Sequence, residues 1–170
     1  MKLKSNMTIN GRQYKEGDEI SPWFVYPFFL IHSLMFGASG FFMAYTPDGP
    51  PLFFMFIHGG FAILIYLLFY STMFGKEAIR WMFINAGLGL WGIYAEIDWF
   101  LSFFGTTVSD YPLYRHVIPF MYYVLYTFLI RQAIIDISNA RENAIRRKRV
   151  ERAYIVGSLL LYTAIFIQTR

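Results

Sequence analysis

The sequence predicts an all-α polytopic membrane protein, a bundle of five transmembrane helices, with four spans and an interfacial helix as the alternative. Three observations lead there. Of the 170 residues, 56% are hydrophobic and only 15% are charged, where a soluble domain carries about a quarter. The apolar residues collect into five runs, and roughly 20 such residues cross a hydrocarbon core of about 30 Å. The segments between the runs alternate in charge, so that the basic residues gather on one side. Aromatic residues, 21% of the chain, crowd the run ends, where rings favour the headgroup level. Cysteine is absent, which excludes disulfides, iron–sulfur ligation and thiol chemistry.

Residues 1–22 are polar, and no short apolar stretch there ends in small residues, so no cleavable signal is expected. Asn10-Gly11 stands between β-compatible residues, a pattern suited to a two-residue hairpin turn with positive φ. A lone hairpin is marginal in water. It should therefore rest on the protein or the membrane surface, a short polar tail being the plainer reading.

The five runs cover residues 23–45, 51–74, 79–104, 112–135 and 153–167. "TPDGPP" breaks the chain after the first, because proline and glycine both oppose helix continuation. "FGKEAIR" joins the second to the third, and "GTTVSDYP" the third to the fourth. The last run is short for a span, but Arg152 and Arg170 flank it and can snorkel to the two interfaces.

Lys2, Lys4, Arg12, Lys15, Lys76, Arg80, Arg131, Arg141, Arg146, Arg147, Lys148, Arg149 and Arg152 fall on one side of the five spans, and Arg115 and Arg170 on the other. Positive-inside bias then puts the N-terminus in the cytoplasm and the C-terminus outside it, in a bacterial-type inner membrane or its equivalent. No internal repeat is evident, and an odd number of spans argues against two equal transporter halves.

Residues 136–152 read as a basic cytoplasmic linker. Arg146, Arg147, Lys148, Arg149 and Arg152 would attract anionic lipid headgroups, at about 1 kcal/mol per residue near the surface. The plainer role is to fix topology and solvate the connector. "ISNARENAI" is helix-compatible, so the fourth helix can run on into this segment. Nothing supplies a folded nucleic-acid platform. The expected partners are membrane lipids and other membrane subunits or a second copy.

The third run carries the chemistry. On a regular helix Asn85, Gly89, Gly92 and Glu96 fall within about 60° of one another, while Asp98 lies about 200° from Glu96. The two acids are thus not a catalytic pair. Small and polar residues on one face favour close helix contact, so this stripe should face inward. Ser33, Gly37 and Gly40 form a similar stripe on the first run, and Gly59 and Gly60 adjoin His58 on the second; helix packing accounts for all of these glycines.

Depth, at about 1.5 Å per residue from each outer end, puts His116 at roughly 6 Å, Asp98 at 9 Å, His58 at 10 Å and Glu96 at 12 Å. Arg115 accompanies His116. Ionisable groups inside spans pair, face the interior or mark a functional path. Three readings follow: Arg115 paired with Glu96 or Asp98 as structure; Glu96 and one or both histidines lining a path for protons, ions or a polar substrate; or a metal ion held by His58, His116 and Glu96. No H-x-x-x-H or E-x-x-H spacing anchors the metal. A haem between His32 and His58 is disfavoured, since their depths differ by about 10 Å; His58 with His116 fits a haem geometrically, without further support. The usual hydrolase, P-loop and dinucleotide motifs are missing. The chain therefore reads as a non-enzymatic component, either an accessory or anchoring subunit of a membrane complex or a small transporter with a polar site in the outer half of the bilayer. The alternative is a metal- or quinone-dependent oxidoreductase subunit using His58, Glu96 and His116.

Overall fold

A computed structural model describes residues 2–9 and 11–168; the side chains of Ile9 and of residues 76–79 lie outside the description, as do Asn10 of the expected turn and Arg170 of the expected snorkelling pair. Two short strands, β1 (Met7–Ile9) and β2 (Arg12–Tyr14), precede five helices: α1 (Pro22–Tyr45), α2 (Leu52–Phe74), α3 (Lys76–Ser102), α4 (Val117–Ile137) and α5 (Ala144–Gln168). Among the described residues four helices are long and apolar enough to cross a membrane: α1, α2, α4 with the 3-10 turn Leu113–His116 before it, and α5. At 27 residues α3 is the longest helix among the described residues, about 40 Å, and Asn85, Glu96 and Asp98 lower its apolarity.

Local chemistry sets most of the boundaries. Pro22 starts α1 where a missing N–H costs nothing, and the Thr46 hydroxyl donates to the Phe42 carbonyl as the helix ends. Between α2 and α3 the expected linker shrinks to one residue. Gly75 has φ +80° and its N–H bonds the Ser71 carbonyl, a left-handed stop that glycine adopts without a Cβ penalty. The chain then re-enters a helix at once, at Lys76.

The fourth connection corrects the sequence reading. α4 stops at Ile137, and Asn139 turns the chain with φ +50°. The fifth helix begins at Ala144 instead of Ala153, so the last nine residues of the expected linker are helical. Asn143 Oδ1 accepts the Arg146 N–H at 2.9 Å as an N-cap, and Ala, Arg, Lys and Glu are all strong helix formers. With 25 residues, about 37 Å, α5 has the length of a full span.

α4 occupies the centre and packs on all four other helices. Glycines let α1 and α2 approach it: a Cβ at Gly40 would lie 3.0 Å from the Tyr122 ring, and one at Gly59 2.7 Å from Ile118. Gly60 faces open space. α5 is the outlier. Its inward line is Arg147, Glu151, Tyr154, Ser158 and Tyr162, and its outward side carries exposed Ile145, Val156, Leu159, Leu160, Leu161 and Ile167. Polar residues inside and apolar residues outside is the pattern that a lipid solvent selects.

At the end where α1 starts and α2 stops, the N-terminal segment forms a cap. β1 and β2 pair antiparallel with Ile9 opposite Arg12, and Gly11 has φ +76°. Leu3 is 2% exposed, Ile20 is also buried, and the Ser5 hydroxyl donates to the Thr72 carbonyl at 3.1 Å. This is called the hairpin end below, and the opposite one the far end.

Candidate functional site

The inward stripe of α3 is built as its spacing requires. Asn85, Gly89 and Gly92 are buried and Glu96 is half-buried. A Cβ at Gly92 would lie 2.6 Å from the Tyr123 Oη and 2.7 Å from the Tyr162 Cζ. That missing side chain is the space in which α4 and α5 bring two tyrosines together, and the Tyr123 hydroxyl donates to that of Tyr162. One turn further along, Glu96 lines the same cleft as Tyr123.

This cleft, of about 450 Å³, lies between α1, α3 and α4, and α5 adds Ile165 to it. Gly37, Ala38 and Phe41 form one wall, Ile93, Ile97 and Phe100 the other, and Tyr122, Tyr123 and Tyr126 the floor. Every lining residue is helical, and Leu34, Phe42 and Trp99 at its edges are exposed. The mouth therefore opens on the flank of the bundle.

The cations expected beside Glu96 are engaged elsewhere. Arg115 Nη1 donates to the Ala44 carbonyl at 3.0 Å and the Thr46 carbonyl at 3.4 Å, so it neutralises the orphan carbonyls at the end of α1 and pairs with neither Glu96 nor Asp98. His116 Nδ1 bonds the Tyr45 hydroxyl at 2.8 Å, and the Tyr111 hydroxyl donates to the Tyr45 carbonyl at 2.9 Å. Together these residues clasp the far-end loop onto α1. Asp98 Oδ1 accepts the Val108 N–H at 2.9 Å and tethers the same loop. Among the described residues, ion pairs join Arg131 to Glu151, Arg141 to Asp136 and Arg147 to Glu151, and none reaches Glu96.

His58 is exposed and sits between the rings of Phe54, at 5.9 Å, and Phe36, at 6.4 Å. With His32 it lines a separate, nearly all-apolar groove of about 800 Å³ between α1 and α2. Similar depth thus does not group His58, His116 and Glu96: His58 faces the groove between α1 and α2, His116 is bonded to Tyr45, and Glu96 lines the cleft against α1 and α4. Among the described residues no three His, Asp or Glu side chains are grouped to hold a metal ion.

Several residues that the sequence reading left out complete the polar interior. The Tyr154 hydroxyl donates to the Thr127 carbonyl at 3.2 Å and reaches Asn85 Oδ1 at 3.5 Å, and Ser158 interacts with both Tyr154 and Tyr162. Toward the hairpin end Arg131, 1% exposed, lies 3.5 Å from the centre of the Trp81 ring and binds Glu151. Asp136 accepts from Tyr26 and Arg141. Burial works against the Arg141 charge, but the hydrogen bonds it donates to the Asp136 carboxylate and the charge of that carboxylate outweigh it and hold the guanidinium above its ordinary pKa. The signal for this network is the i, i+4, i+7, i+11, i+15 spacing of Arg147, Glu151, Tyr154, Ser158 and Tyr162 on one face. Of the basic cluster, Arg146, Lys148, Arg149 and Arg152 are exposed, while Arg147 turns to Glu151 at 3.0 Å. No known family model, curated protein or solved structure matches the chain.

Proposed function

We propose that this protein is a five-span, non-enzymatic membrane component, an accessory or anchoring subunit that associates sideways with other membrane proteins. Its hairpin end and basic residues face the cytoplasm and its C-terminus the opposite side. The observation that carries the reading is the flank-opening cleft with Glu96 on its wall. A half-buried carboxylate within a bilayer costs up to about 3 kcal/mol, so a lateral cleft of this kind is best explained by something in the membrane plane that completes its cover. The polar inward face and apolar outward face of α5 support the membrane setting. The exposed Arg146, Lys148, Arg149 and Arg152 suit anionic headgroups at the cytoplasmic surface.

Purification from the native membrane in mild detergent should retain partner chains in fixed ratio. Migration always alone or as a homo-oligomer overturns the subunit reading. For the orientation, a C-terminal alkaline phosphatase fusion should be active in a bacterial host, and an inactive fusion at normal expression reverses it.

A second reading, a small transporter with Glu96 as its ion site, is favoured by the Tyr123–Tyr162 hydroxyl pair, which extends the polar line from Glu96 toward Tyr154. Here Glu96→Gln should abolish pH-dependent flux in proteoliposomes. Unchanged flux removes Glu96 from any transport cycle.

A further inference from the structure

We infer that the Glu96 cleft seats a transmembrane helix of a different chain, and that this helix carries a lysine or arginine in the outer half of the bilayer. The inference rests on the reading of the protein as a laterally associating subunit and names the chemistry of its partner.

Charge complementarity comes first. Among the described residues Glu96 has no ion pair, and Arg115 at the far end is spent on the α1 carbonyls. A carboxylate in this setting selects a positive partner. Shape agrees with charge: the α1 wall is low, with Gly37 and Ala38, and the lining is helical throughout. Small residues on such a wall admit another helix backbone at close range.

Depth then chooses between a helix and a lipid amine. Glu96 stands six residues before the end of α3 at Ser102, which is about 9 Å below the far end. A lipid ammonium sits at headgroup level and would have to sink by about that distance. A lysine or arginine on a neighbouring span reaches this level with its ordinary long side chain. A second copy of this chain brings another Glu96, and its described far-end cation, Arg115, is already bound.

The absence of cysteine makes the test direct, since Ser109→Cys in the exposed far-end loop gives a single labelling site. The labelled full chain is reconstituted in phosphatidylcholine vesicles with synthetic Leu/Ala transmembrane peptides, one bearing a lysine six residues from its outer end and one a leucine there. Energy transfer reads association. The lysine peptide should associate about three- to tenfold more tightly, the range that one interhelical polar contact supplies. Glu96→Gln should erase that preference, and Glu96→Lys should transfer it to a glutamate peptide. Equal association of the two peptides, or a lysine preference that survives Glu96→Gln, overturns the inference. So does loss of the preference on adding phosphatidylethanolamine, which would identify a lipid amine as the occupant. In the native membrane, a partner complex that Glu96→Gln leaves intact removes this inference and keeps the subunit reading, whereas a chain that migrates alone removes both.

Discussion

Gly92→Ala is the sharpest test of how the site is built. The added methyl would lie 2.6 Å from the Tyr123 Oη, 2.7 Å from the Tyr162 Cζ and 2.8 Å from the Tyr162 Cε2. The first belongs to α4 and the other two to one ring on α5, so the clash is relieved only if both tyrosines shift or their helices move away. Overpacking of this kind costs about 1–3 kcal/mol, and separating the Tyr123–Tyr162 hydroxyl pair costs about 0.6–1.7 kcal/mol more. Alanine returns roughly 0.5–1 kcal/mol of helix propensity. The net expectation is a loss of about 0.6–4 kcal/mol. Gly87 supplies the control, for it lies in the same helix with nothing within 4 Å of its Cβ position, so Gly87→Ala should leave stability unchanged or raise it by up to about 1 kcal/mol. Reversible unfolding in bicelles, followed by tryptophan fluorescence, measures both. Adding Tyr162→Ala to Gly92→Ala should cost less than the sum of the two single changes, because the clash goes with the ring. If Gly92→Ala is as stable as Gly87→Ala, the close approach of α3, α4 and α5 at Gly92 is wrong.

Two further perturbations address the rest of the bundle. Glu151→Gln leaves the buried Arg131 without its carboxylate and should cost about 3 kcal/mol or more, whereas Arg131→Met with Glu151→Leu should recover most of that loss in the same unfolding assay. Leu3→Ala removes a side chain that is 2% exposed and should weaken docking of the N-terminal cap by about 2–3 kcal/mol; protease should then cut within residues 1–20 faster while helical circular dichroism is unchanged.

What the sequence disclosed follows from which coordinates a sequence carries. Position along a helix is legible, so three of the five starts and all five ends of the helices fall within three residues of their expected places, and the 3-10 turn Leu113–His116 fills most of the gap before α4. Rotation about the axis is legible only where one face differs from the rest. On α3 the line Asn85–Gly89–Gly92–Glu96 differs, and it turns inward as spacing requires. On α2 every face is apolar, so nothing in the run tells that Gly59 meets Ile118 while His58, about 100° further round, faces the groove beside α1. Equal depth therefore grouped His58 with Glu96 although the two line different grooves. Arg115 went to the α1 carbonyls because a helix end offers several acceptors at the level of the loop, a competition that side-chain charge alone does not reveal. The start of α5 was hidden because strong helix formers that are also charged look like a connector until a cap such as Asn143 is seen in place.

The one-residue connection at Gly75 makes α2 and α3 a mechanical pair. Their hairpin-end termini are held within a few bond lengths, so the only large relative motion left to them is a scissoring about that joint. Glu96 stands 20 residues beyond Lys76, a lever arm of about 30 Å. A tilt of roughly 5° at the joint sweeps the carboxylate through about 2.6 Å on that arm, comparable to the reach of a hydrogen bond. A small tilt of α3 at the glycine would thus change the width of the cleft by about a hydrogen bond's reach, and the packing of α3 on α4 and α5 opposes that tilt.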